Sequence, residues 1–190
     1  GFMVYRSAGG ELATLDFREK APGMASRDMY LDSAGNAITD KSLYGHLAAG
    51  VPGSVDGMVK AHEKFGKLSW AEVVQPALDL ARKGFPITDE QVEEFTELQE
   101  GIKKFNPGKS YFIKDKWVKG DLWVQEDLAN TLELIRDKGR EGFYSGAVAD
   151  YIEAEMKSGG GLISKKDLKN YQSQWRETLV GKYKDYKIIT

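Results

Sequence analysis

In the stretch Leu15-Asp16-Phe17-Arg18-Glu19-Lys20-Ala21-Pro22 an alternating segment meets a stop. The alternation runs from Glu11 to Phe17 and passes straight into Arg18; Pro22 then ends regular pairing, because it has no N–H to give to a ladder. The guanidinium therefore stands at the mouth of a strand, where function tends to sit on a rigid scaffold. Arg offers five fixed donors, stays charged, and matches a carboxylate in a bidentate fork. Taken alone, the commoner reading is a surface ion pair with Asp16 or Glu19, which contributes little.

On the N-terminal side, Phe2–Arg6 and Leu12–Phe17 are apolar runs flanking Ser7-Ala8-Gly9-Gly10, which reads as a hairpin with a glycine turn. On the other side, residues 22–41 lack periodicity and are rich in Gly, Asp and Ser, so they form a long loop. Helices fill the middle. Gly53 to Phe65 has apolar residues at Val55, Met58, Val59, Ala61 and His62 and a stop signal at Gly66. Ser69 with Glu72 makes a capping box for a helix ending at Gly84, which Pro76 should kink or restart. Thr88 with Gln91 repeats the box before a helix to about Lys104, and Asn106-Pro107-Gly108 is a turn.

Tyr111-Phe112-Ile113 and Trp117-Val118 flank Lys114-Asp115-Lys116 like a small hairpin. Val124 to Lys138, with Leu128, Leu132 and Ile135 on one face, and Ala147 to Lys157, with Val148, Ile152 and Met156, are amphipathic helices. Ser164 with Asp167 caps a short helix, and Tyr183 to Thr190 alternates like a strand. Strand pair, helical block and terminal strand make an α/β or α+β pattern. The strands at the two ends leave edges open to missing neighbours or to a second copy of the chain.

The 190 residues suffice for one domain with a sizeable core, and 41% hydrophobic with 29% charged residues describes a globular protein. A net charge of -2 gives no reason to expect nucleic acid, and Lys165-Lys166 or Lys182, Lys184 and Lys187 read as solvated faces. No apolar run reaches bilayer length. The absence of Cys excludes disulfides, thiol catalysis and Cys-ligated metal. His46 and His62, the only histidines, lack metal-ligand spacing and read as half-buried packing positions. There is no Gly-x-Ser-x-Gly elbow and no P-loop. Gly159-Gly160-Gly161 reads as a helix stop rather than an anion nest, and Asp89-Glu90 and Glu93-Glu94 as solvent-facing acids. The chain opens and closes inside strand-like runs, Gly1-Phe2-Met3 and Tyr186–Thr190, as a piece of a longer protein would.

Asp16-Phe17-Arg18-Glu19-Lys20-Ala21-Pro22 resembles the signature of the gamma-glutamyltranspeptidase family, N-terminal-nucleophile hydrolases that cleave glutathione. Gly1–Tyr5, Gly50-Val51-Pro52-Gly53-Ser54-Val55, Gln75-Pro76-Ala77 through Ala81-Arg82-Lys83-Gly84-Phe85, Gly142–Gly146, Gly160–Ile163 and Gly181-Lys182-Tyr183 continue the resemblance in family order over essentially the whole chain. Two departures, the absence of proline in Glu177–Val180 and Asp185 in place of a frequent glycine, lie away from Arg18.

The resemblance implies part of a four-layer αββα sandwich with incomplete central sheets, here a single domain over residues 1–190 from the large subunit. It implies a substrate-binding role for Arg18, as a salt bridge to the α-carboxylate of a γ-glutamyl group. It places the nucleophile, a threonine freed by autoproteolysis and activated by its own amine, on a small subunit outside this chain, together with the oxyanion hole. No catalytic residue, metal or organic cofactor is then expected in residues 1–190. The partners are a γ-glutamyl substrate and the small subunit, and the setting is periplasmic or extracellular. A poly-γ-glutamate or β-lactam acylase-type relative, and a non-catalytic amino-acid-binding module using Arg18, are the alternatives.

Overall fold

The computed structural model describes residues 1–106 and 110–190. The N-terminal hairpin forms as expected. β1 (Phe2–Arg6) pairs antiparallel with β2 (Leu12–Asp16) in the register Phe2↔Asp16 to Arg6↔Leu12. The turn closes through the Gly10 N–H on the Ser7 carbonyl at 3.0 Å, with Gly10 at a φ of 91° that a side chain would disfavour. The alternation in β2 is real: Ala13 and Leu15 point into the core while Thr14 and Asp16 stay partly exposed.

The helical block follows the sequence pattern closely. After the long loop come α1 (Thr39–Leu43), which takes in its last residues, a single 3-10 turn at His46–Ala48, and α2 (Ser54–Phe65). Next are α3 (Trp70–Lys83), the two-residue β3 (Phe85–Pro86) and α4 (Asp89–Phe105). Both Ser69–Glu72 and Thr88–Gln91 form complete capping boxes. Pro76 does not restart α3, which continues to Gly84 as one helix: losing a single N–H is outweighed by the box at its start and by the burial of Val74, Leu78 and Ala81. On α2 the buried residues are Val55, Asp56 and Gly57, while Met58 is half exposed. The turn expected at Asn106-Pro107-Gly108 falls mostly outside the described residues.

The small hairpin expected around Lys114–Lys116 does not form. Phe112, Trp117 and Trp123 instead gather around Phe95 of α4, with ring centroids 4.7–5.7 Å from it. The backbone between them is satisfied by side chains, Gln99 accepting from the Lys114 N–H at 2.8 Å and Asp121 from the Val118 N–H at 3.0 Å. Burying three aromatic rings against one helix outweighs what an isolated two-stranded ribbon offers. The strand in this region is β4 (Leu122–Trp123), paired with β3.

The remaining helices are α5 (Glu126–Lys138), the single turn α6 (Glu141–Tyr144), α7 (Gly146–Gly159) and α8 (Lys165–Asn170), the last under a Ser164–Asp167 capping box. The triple glycine is a helix stop: Gly160 is left-handed and the Gly161 N–H bonds the Met156 carbonyl at 2.7 Å. β5 (Gln174–Arg176) then returns to pair antiparallel with β2, giving a sheet of order β1-β2-β5. The strand expected over Tyr183–Thr190 forms as the shorter β7 (Tyr186–Ile189), because Lys184 adopts a φ of 52° and turns the chain, and it pairs antiparallel with a preceding strand, β6 (Val180–Tyr183). The main core joins Val51, Val55, Ile135, Tyr144, Ala149, Ile163, Leu168 and Tyr171. Among the described residues, no helix is long and apolar enough to cross a membrane.

Candidate functional site

Arg18 lies just beyond the end of β2, where the chain is gripped on both sides. Before it, Phe17 exchanges bonds with Gly1: its N–H donates to the Gly1 carbonyl at 2.9 Å and its carbonyl accepts from the terminal ammonium at 3.1 Å. After it, Lys20 and Val51 exchange backbone bonds of 3.2 and 2.8 Å, which ties the strand end to the Gly50–Gly53 loop. The Arg18 N–H donates to Asp16 Oδ1 at 3.1 Å, and its carbonyl accepts from the Tyr171 hydroxyl at 2.7 Å. Among the described residues its guanidinium reaches only Glu19, at 3.6 Å, and the side chain is 64% exposed.

Asp16, the other partner considered for Arg18, is taken elsewhere. Its Oδ2 accepts from Arg176 of β5 at 2.9 and 3.2 Å. The Arg18 N–H first, and then Arg176, hold the Asp16 carboxyl below its ordinary pKa.

Under this strand end lies a buried polar cluster. Gly53 packs so closely that a Cβ there would collide with the Tyr171 hydroxyl and the Phe17 carbonyl; at Gly57 it would collide with the Phe17 ring. One turn into α2, Asp56 is 4% exposed. Its Oδ1 accepts from Arg140 Nε at 2.6 Å, and its Oδ2 accepts from both the N–H and the hydroxyl of Ser173, at 2.7 and 2.6 Å. Arg140 spends its other nitrogens on the carbonyls of Lys169 and Tyr171, at 3.1 and 2.5 Å, and on Glu141. Its guanidinium also stands 4.6 Å over the Tyr144 ring. Tyr144 donates to the Pro52 carbonyl at 2.8 Å and stacks on Tyr171 at 5.8 Å.

The electrostatics follow from these contacts. Burial alone would raise the pKa of Asp56, but the Ser173 bonds and then the Arg140 charge outweigh it, and the carboxyl ends below its ordinary value. Burial chiefly, and then the Asp56, Asp16 and Glu19 charges, push the Tyr171 phenol up to about 12. Tyr144 is raised as well, again chiefly by burial.

Arg18 is thus the one candidate named from the sequence that this region contains. Asp56, Arg140, Tyr144, Tyr171 and Ser173 were not singled out. Asp56 left a trace, a carboxylate one turn before Val59 on an apolar helix face; Arg140 and Ser173 left none, since their partner is 84 and 117 residues away. His46 and His62 lie elsewhere, partly buried, bonded to Glu155 at 2.7 Å and to the Leu68 carbonyl at 2.9 Å; neither meets a Ser or Thr hydroxyl among the described residues.

Helix-rich, mixed α/β and with small sheets, the chain has the architecture of the N-terminal-nucleophile hydrolases. The gamma-glutamyltranspeptidase family model matches residues 1–190. The chain is 42% identical over 193 aligned residues to the glutathione hydrolase proenzyme of Escherichia coli, covering 100% of the chain and 33% of that protein. It is 46% identical over 183 residues to the proenzyme of Pseudomonas aeruginosa, covering 94% of the chain and 32% of that protein. The crystal structure of Helicobacter pylori gamma-glutamyltranspeptidase superposes with a TM-score of 0.95 at 45% identity, covering 100% of this chain and 55% of that one. The chain belongs to the gamma-glutamyltranspeptidase family, and it spans about a third of the length of the curated relatives it matches.

Proposed function

We propose that the protein is a single-domain part of the large subunit of an enzyme that transfers or hydrolyses γ-glutamyl groups of glutathione-like amides. The nucleophile in this reading is a threonine at the N-terminus of a small subunit, which also carries the oxyanion hole. Its hydroxyl attacks the γ-carbonyl, its amine takes the proton and passes it to the leaving amine, and an acceptor amine or water then breaks the γ-glutamyl ester. Arg18 holds the donor's α-carboxylate in a fork; no residue of this chain forms or breaks a bond. Neither metal nor organic cofactor takes part, and the enzyme works in the periplasm or outside the cell.

The observation that carries this reading is the state of Arg18: its backbone is bonded on both sides while its guanidinium has, among the described residues, only one exposed, 3.6 Å pairing. Such a pairing contributes little, about 0–1 kcal/mol, so the fork is free for a ligand carboxylate. In the full-length protein, Arg18→Lys should cost about 2–4 kcal/mol once the carboxylate is desolvated, because a point charge does not reproduce two parallel bonds. The KM for a chromogenic γ-glutamyl amide should therefore rise roughly 30- to 800-fold. Kinetics within about twofold of the parent would remove Arg18 from the site.

A further inference from the structure

Arg18 is held by its backbone from both ends of the chain. A residue's Cβ direction is set by the two peptide planes that meet at its Cα, and each plane turns on one soft dihedral. The plane before Arg18 is held through its N–H by Asp16, itself fixed by Arg176. The plane after it is held through its carbonyl by the Tyr171 hydroxyl, from 153 residues away.

Tyr171 is built for that contact. The residue is 2% exposed, and its ring already packs in the main core and on Tyr144, where a Phe would fill the same volume. Among the described residues the hydroxyl makes one bond, to Arg18. The lack of a side chain at Gly53 is what lets it reach that carbonyl. The backbone of Tyr171 is fixed in turn by Arg140, whose guanidinium bonds its carbonyl and also Asp56.

We infer that Tyr171 is a positioning residue for carboxylate recognition: its hydroxyl sets the direction in which Arg18 presents its fork. This rests on the role proposed above for Arg18. Fixing a binding group beforehand lowers the ordering cost of complex formation, so releasing it should appear in substrate affinity and leave the chemistry alone.

The test is a kinetic cycle in the full-length enzyme with wild type, Tyr171→Phe, Arg18→Lys and the double variant, each checked by thermal unfolding. With a γ-glutamyl amide, Tyr171→Phe should raise KM about three- to tenfold with kcat within twofold, the scale of one hydrogen bond. In the Arg18→Lys background the same change should have an effect below about 1.5-fold, since there is no fork left to aim. With a 4-aminobutyryl amide, which lacks the α-carboxylate, Tyr171→Phe should match wild type. Asp16→Ala, which frees the preceding plane, should show the same pattern and stands in if Tyr171→Phe fails to fold. An equal loss in both backgrounds, or with both donors, would make Tyr171 a packing residue only and overturn the inference while leaving Arg18 in its role. An Arg18→Lys enzyme with unchanged KM would instead overturn the carboxylate reading, and this inference with it.

Discussion

Asp56→Asn is the substitution that tests most directly whether the polar cluster under Arg18 is as closed as its geometry indicates. The side chain keeps its size, so packing is unchanged. What changes is the inventory of donors and acceptors: Asn has one acceptor oxygen and an NH2 group. If the oxygen faces Arg140, the NH2 meets the N–H of Ser173; if it faces Ser173, the NH2 meets Nε of Arg140. Either way a donor faces a donor in a site 4% exposed, and the guanidinium loses its buried counter-charge. Removing one partner of a buried ion pair costs about 3–5 kcal/mol, which for a chain of this size lowers the unfolding midpoint by roughly 6–20 °C. Far-UV circular dichroism of the purified chain at neutral pH reads this directly. The control is Asp28→Asn, whose Arg27 partner is 91% exposed and whose loss should stay within about 0.5 kcal/mol. A midpoint for Asp56→Asn as close to the parent as that of the control would mean that water enters the cluster, and the buried-pair reasoning would fail.

The same groups fix the pH dependence of stability. The folded-state pKa of Asp56 lies below its unfolded value of about 3.9, so its contribution is complete above that pH and is lost as pH falls through the folded value; Asp56→Asn should flatten the acid limb of the urea midpoint. Tyr171 is displaced the other way, from 10.0 to about 12, so its contribution is complete below about pH 10 and is lost as pH rises through about 12, and Tyr171→Phe should flatten the alkaline limb. The chain of residues 1–190 by itself should not turn over a γ-glutamyl amide, since losing even one oxyanion donor costs roughly 10²–10³ in kcat and here nucleophile, base and hole are all expected elsewhere. Multiple turnovers proportional to folded chain, and abolished by a γ-glutamyl-directed inhibitor, would show that the active site has been misplaced.

What the sequence made legible is what its neighbours along the chain decide. The Ser69–Glu72, Thr88–Gln91 and Ser164–Asp167 boxes each close within one helical turn, and each appears where the residues announce it. The hairpin from Phe2 to Asp16 is equally local, as is the stop at Gly160. Around Lys114 the local signal failed because Phe112, Trp117 and Trp123 answer to Phe95 of α4 rather than to one another. Helix α2 shows the same limit: its apolar positions mark a helix, but tertiary packing decides which of them are covered, and here Asp56 and Gly57 take inner positions while Met58 stays half exposed. Arg18 was visible as the end of an alternating run; the residues that hold it were not, because β5 and the segment before it come back to β2 only in three dimensions.

The cluster's layout bears on why a charge is buried there at all. A buried ion pair is weak grounds for stability, since apolar residues of the same volume often do as well. Filling volume, however, does not set direction. Asp56 accepts from two separate segments, Arg140 carries the connection to the Tyr171 carbonyl, and the Tyr171 hydroxyl carries it to Arg18. Every link is a directional bond between residues that sequence alone leaves unconnected. Damage near the inner end, at Asp56, removes a buried counter-charge and should be read in the unfolding midpoint. Damage at the outer end, at the Tyr171 hydroxyl, removes one neutral bond and should be read in KM. A leucine-lined floor would hold the strand end in place as firmly, but it would have no means of telling the carbonyl of Arg18 which way to face.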